Sequence, residues 1–183
     1  LVWLAVNSSF SHSSLALPVL HLAARQVENW DWECIETTIA DHPGEIAVRL
    51  VERQPDLVCA SLYLFNSQAV LSILERFKIL CPVCPVVVGG PECLGSGAAD
   101  VLRRSRAVDC AVSGEGESCL PLILASISAG RFPQAYPGAL CRGDPVLPAA
   151  GPAVVPLHYQ DWENAPAPSC SPFFNTVKPF VQM

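Results

Sequence analysis

A chain of 183 residues that is 51% apolar and only 15% charged can bury one sizeable core plus an appendage, which excludes a disordered chain and leaves little room for two full domains. A formal charge of −6 with sparse Lys and Arg excludes a nucleic-acid backbone surface, which needs a clustered basic face. No run of about eighteen uncharged apolar residues occurs, and no charged leader precedes an apolar stretch, so no membrane partner is expected and a cytoplasmic location is.

Val2 to Val6 opens the chain as a strand and runs into Asn7-Ser8-Ser9-Phe10-Ser11-His12-Ser13-Ser14, a strand-to-helix turn rich in helix-capping side chains. Capping accounts for the serines and not for the imidazole of His12. The helix that follows is either kinked by Pro18 or starts near Leu17, because proline breaks an interior hydrogen bond. Cys34 to Ala40 reads as the next strand, and Glu45 to Arg53, after Asp41-His42-Pro43-Gly44, as the next helix. Leu57 to Phe65 is a third strand. Asn66 is expected to cap the helix over Ser67 to Leu80, where Val70, Ile73, Leu74 and Phe77 share one face. Val86 to Gly90 and Val108 to Ser113 are the fourth and fifth strands, and Arg103, Arg104 and Arg106 mark the solvated side and end of the helix between them. Leu120, Ile123, Leu124 and Ile127 place a helix after Glu115 and Glu117, whose carboxylates suit a helix start.

Strands that are apolar on both alternating positions, separated by helices, define a doubly wound α/β domain with a five-stranded parallel sheet. Prolines crowd in after Gly130. Ala139 to Arg142 and Val146-Leu147, around Gly143-Asp144, are expected to form a small hairpin, and the Pro-rich tail beyond it cannot be helical over any length. The expected division is 1–132 as the α/β domain and 133–183 as hairpin and linker. The chain opens on Leu1 and stops at Met183 with no closing element, as a fragment of a longer polypeptide would.

In an open parallel sheet, ligands bind outside the carboxyl ends of the strands. The loops there are small, polar or glycine-rich. Gly89-Gly90 removes side chains where a strand ends, either to let a ligand reach the backbone or to allow a tight turn. The nine cysteines, odd in number and spread through strand-like and helix-like segments, point to reduced buried thiols. Cys81-Pro82-Val83-Cys84 has no second pair to complete a metal site.

Three stretches taken together carry a resemblance: Asn7 with Ser11-His12-Ser13-Ser14-Leu15-Ala16-Leu17; Pro55 to Ser61 continuing to Asn66; and Val88-Gly89-Gly90-Pro91-Glu92 followed by Val108-Asp109 and Gly114-Glu115-Gly116-Glu117. Over roughly residues 1–150 the chain resembles the cobalamin-binding, Rossmann-like domain that precedes the radical S-adenosylmethionine (SAM) domain in cobalamin-dependent radical SAM enzymes. Cobalamin domains of the wider group carry Asp-x-His-x-x-Gly in the first loop, whose histidine ligates cobalt. Here His12 takes the histidine's place, while Phe10 stands for the aspartate and Leu15 for the glycine. The resemblance therefore implies cobalamin held without a histidine ligand, since Phe10 cannot supply the acceptor that orients a metal-bound imidazole.

Ser61 and Gly89-Gly90 occupy the family's other tail-binding places. The candidate cofactor-binding set is Asn7, His12, Ser61, Tyr63, Gly89, Gly90, Glu92, Glu115 and Gly116, with no catalytic residue and no metal ligand. In the parent enzyme, SAM and a [4Fe-4S] cluster would be held by a downstream radical SAM domain, because the Cys-x3-Cys-x2-Cys motif occurs nowhere in this chain. The parent would be of methyltransferase type. The competing expectation is a degenerate scaffold whose cavity is plugged by Phe10, Leu15 and Tyr63. A flavodoxin ranks third, and a phospho-receiver lacks its acidic cluster after the first strand.

Overall fold

The computed structural model describes residues 1–134, 136–143, 158–175, 177, 178 and 180–182. A six-stranded sheet runs in the order β3-β1-β4-β5-β6-β7. Its strands are β1 (Val2–Asn7), β3 (Glu33–Thr38), β4 (Val58–Ser61), β5 (Val86–Gly89), β6 (Cys110–Val112) and β7 (Ala139–Cys141). The first five of these are parallel, so each is joined to the next by a helical crossover. The helices are α1 (Ala16–Ala24), α2 (Pro43–Glu52), α3 (Ser67–Leu80), α4 (Gly97–Arg104) and α5 (Gly116–Ser128). The fold is the expected doubly wound α/β class, with strand order reversing where the chain passes from β3 across β1 to β4.

Alternation along each strand divides the core in two. Leu4, Val58, Ala60, Val86, Val88 and Ala111 face α2, α3 and α4. Trp3, Ala5, Cys59, Val87, Cys110 and Val112 face α1 and α5. Helix α3 begins and ends where the apolar spacing predicts, with Val70, Ile73, Leu74 and Phe77 buried. Pro18 falls in the first turn of α1, where a missing N–H breaks no helical bond, so the helix is short and not kinked. No helix among the described residues is long and apolar enough to cross a membrane.

A sixth strand joins the expected five. Ala139–Cys141 pairs antiparallel with β6, in the register Cys110↔Cys141 and Val112↔Ala139. Val146-Leu147, the other arm of that hairpin, lies outside the described residues. The guanidinium of Arg142 holds the new edge by donating to the carbonyls of Leu102, Ser105 and Val108 at 2.8 to 3.1 Å.

Residues 12–14 also differ from the expected helix cap. They form a short strand, β2 (His12–Ser14), paired in parallel with β8 (Phe180–Gln182). Lys178 supports this pairing: its ammonium donates to the carbonyl of His12 at 3.1 Å and pairs with Glu36 at 2.8 Å. The tail also returns over α1, where the ring of His21 packs edge-on against Trp32 and Phe173 and its Nδ1 lies 3.1 Å from the Ser171 hydroxyl.

Candidate functional site

The carboxyl ends of β4, β5 and β6, together with the starts of α1 and α5, enclose a half-open cavity of about 240 Å³. Its floor is apolar: Trp3, Cys59, Val87, Val112 and Leu120 project from the sheet and α5. Parallel strands covered on both faces supply such a floor because both alternating positions are apolar. Above it, the strands end in glycine-rich loops, and Ser61, Tyr63, Gly89, Gly90, Glu115 and Gly116 form the rim and walls. Six of the nine candidate residues therefore share one cavity.

The two neighbouring glycines do different things. Gly90 has φ +98°, and a Cβ there would stand 2.7 Å from the Leu62 carbonyl oxygen. Only glycine permits that close approach of backbones. A Cβ on Gly89 would make ordinary contact with Val112 at 3.6 Å, so its missing side chain is no packing requirement and leaves the wall bare. Gly116 is bare for a third reason, since a Cβ would press on Leu20 of α1 at 2.9 Å.

Tyr63 stands between the end of β2 and the end of β4, its hydroxyl near those of Ser14 and Ser61, whose effect on its pKa is smaller than that of burial. Burial raises its pKa and keeps it a neutral donor and acceptor on the cavity wall. Its ring stacks on Phe65, with centroids 5.5 Å apart. Glu115 does not cap α5 with its side chain; its carboxylate accepts from the Tyr159 backbone N–H and lies 3.9 Å from Nδ1 of His158, tying the returning tail to the rim. Glu117, which also lines the cavity, has a pKa raised first by burial and then by the charge of Glu115.

Asn7, His12 and Glu92 stand elsewhere. Asn7 is buried under β2 and donates to the His12 carbonyl at 3.0 Å and to Glu36 at 3.2 Å. His12 lies in β2 with Nδ1 2.8 Å from the Ser9 hydroxyl, and it does not line the cavity. Glu92 follows Pro91 in a short 3-10 turn and faces a separate surface cleft with Arg103 and Arg104. Asn66 is also not the expected side-chain cap. It is 2% exposed, accepts from the Tyr63 N–H at 2.8 Å, and donates to the Val6 carbonyl at 2.9 Å and the Ser61 carbonyl at 3.3 Å, locking the ends of β1 and β4 together.

Trp3, Cys59, Val112 and Leu120 were invisible as site residues from sequence. Strands apolar on both faces do not say which face carries a cavity. Among the described residues no group of three or more His, Cys, Asp or Glu side chains is placed to hold a metal ion. Cys84 of the Cys81/Cys84 pair donates its thiol to the Pro55 carbonyl at 3.1 Å.

No protein-family model and no curated protein matches the chain. Among solved structures it is similar to the radical SAM methyltransferase TsrM from Kitasatospora setae, with tryptophan substrate and a SAM analogue bound. That match has a TM-score of 0.57 at 22% identity and covers 85% of this chain and 30% of that one. It is also similar to OxsB, a cobalamin-dependent SAM radical enzyme with aqua-cobalamin and SAM bound, at a TM-score of 0.62 and 16% identity over 87% of this chain and 22% of that one. The chain thus spans less than a third of either protein. At these identities the likeness establishes a shared fold: a mixed, mainly parallel Rossmann-like sheet with flanking helices.

Proposed function

We propose that this chain is the cobalamin-binding module of a radical SAM enzyme, with the corrin lying across the carboxyl edge of the sheet and no histidine ligand to cobalt. The observation that carries the proposal is the half-open cavity between α1 and α5. It has an apolar floor and hydroxyl-bearing walls, and among the described residues no Lys, Arg or His lines it. A flat, uncharged heterocycle suits the floor.

The volume of about 240 Å³ is too small for a corrin macrocycle and of the size of its displaced heterocyclic tail. The residues present fit that tail. Trp3, Val87, Val112 and Leu120 would enclose the heterocycle, and Ser61 and the Gly89 backbone would meet its sugar. Amide groups around the macrocycle would donate to Glu115 at the rim. When bound, cobalamin supplies a cobalt centre able to carry an alkyl group; the protein's own part is to hold and orient it. His12, engaged by Ser9 and set in β2, supports the absence of a histidine ligand. SAM and the iron–sulfur cluster would belong to a radical SAM domain of the same parent, of methyltransferase type.

The scaffold alternative requires a plugged cavity. Phe10 is 71% exposed, and neither it nor Leu15 lines the cavity; Tyr63 forms a wall without filling the space. The test is gel filtration after mixing with hydroxocobalamin. The wild-type peak should carry corrin absorbance, Gly89→Leu should elute colourless with an unchanged circular dichroism spectrum, and His12→Ala should retain both the corrin and its spectrum. A colourless wild-type peak under saturating cobalamin removes the proposal.

A further inference from the structure

A second, smaller cavity of about 160 Å³ lies between α1 and the segment 158–168, on the far side of Glu117 from the first. Val19, Leu22 and Ala23 of α1 form its floor, and Pro166 and Pro168 one flank. Tyr159 and Trp162 form the other, with ring centroids 5.1 Å apart and planes at 83°. In this edge-to-face pair the edge of one ring rests on the face of the other, and the ring face left open to the cavity attracts a positive charge.

Glu117 borders this corner, and among the described residues no Lys, Arg or His does. Among the described residues, no other residue is hydrogen-bonded to it, and its own backbone amide opposes only part of the rise in its pKa that burial causes. Glu115 adds a second negative charge nearby, and His158, with an exposed side chain, is already directed to it. A half-buried carboxylate beside two perpendicular aromatic rings and an aliphatic floor has the chemistry that recognises a positive charge wrapped in methyl or methylene groups. An inorganic cation would gain little from the aliphatic floor, and an anion would be repelled.

We propose that this corner binds a compact organic cation of the alkylammonium or methylated ammonium class, with Tyr159 and Trp162 as its aromatic walls and Glu117 as its counter-charge. The site is separate from the cobalamin proposal except at Glu117, which borders both cavities.

The test uses choline and its uncharged isostere 3,3-dimethyl-1-butanol. Each is titrated into the 183-residue protein and followed by calorimetry and by saturation-transfer NMR on the ligand methyls. Choline should bind saturably and about tenfold more tightly than the isostere. Glu117→Gln and Trp162→Ala should each weaken choline about tenfold, and Trp162→Phe, which keeps an aromatic wall, should recover most of that loss. Circular dichroism of each variant reports whether it is folded. The proposal is overturned if choline and its isostere bind equally, if folded Glu117→Gln keeps wild-type affinity for choline, or if choline shows no saturable binding in the tens-of-millimolar range. Corrin retention on gel filtration is scored separately, so either proposal can fail without the other.

Discussion

Single residues show how one sequence motif serves two physical ends. Gly89-Gly90 is legible as a glycine pair at a strand end, but only coordinates separate the two roles. Gly90→Ala forces a Cβ against the Leu62 carbonyl at positive φ, and should lower stability by about 1–3 kcal/mol in urea unfolding. Gly89→Ala, which meets only ordinary contacts, should stay within about 1 kcal/mol of wild type. Equal losses for the two variants would contradict the assignment. Asn66 carries the same lesson. Its place ahead of α3 is visible in the sequence, whereas its bonds to Val6 and Ser61 depend on strands far apart in the chain meeting at one end of the sheet.

At the level of elements, two contacts hold the periphery to the sheet. Arg142 satisfies three carbonyls at the end of α4 and the entry to β6. Arg142→Ala should cost about 2–3 kcal/mol in denaturant unfolding, since charge-assisted bonds are lost and carbonyls are left unpaired. His21 joins α1 to the returning tail. Its pKa is lowered, first by burial and then by the charge of Arg25, so the folded state prefers the neutral ring. A depressed folded pKa means that the contribution is fully present above the unfolded imidazole value, about 6.5, and is lost as pH falls through the folded value. Acidification should therefore loosen residues 168–175 before the sheet. Limited proteolysis below pH 6 should cut there first, and His21→Phe should abolish the pH dependence. The mirror-image alkaline effect belongs to Tyr63, whose raised pKa favours the neutral phenol and withdraws support above about pH 10.

For the molecule as a whole, the cysteines report the packing. Six of the nine are buried (Cys59, Cys84, Cys93, Cys110, Cys119 and Cys141), Cys34 and Cys81 are intermediate, and Cys170 is exposed. Burial pushes the thiols of Cys84, Cys93 and Cys119 up to about 12, far from the reactive thiolate range. A thiol reagent at neutral pH should label Cys170 first and then Cys81, reach Cys34, which burial likewise pushes up to about 12, only slowly, and reach the other six only on unfolding. Rapid native labelling of Cys110 or Cys141, whose sulfurs are in mutual contact at 2.8 Å, would mean that β7 does not seal the sheet edge.

The sequence by itself determined the α/β class, the five parallel strands, helix α3 to its ends, and the small, polar and glycine-rich character of the strand-end loops. These are local properties: apolar spacing, glycine, proline and the need of parallel strands for crossovers are all written within some thirty residues. Tertiary structure alone decided which face of a doubly apolar sheet opens into the cavity, that β7 joins as a sixth antiparallel strand, and that His12 is drawn into β2 and away from the cavity. It also set Glu117 between two cavities. Each of these rests on contacts between residues distant in the chain, where an apolar or polar side chain gains by burial against whichever partner the topology brings to it, and no local pattern encodes that partner.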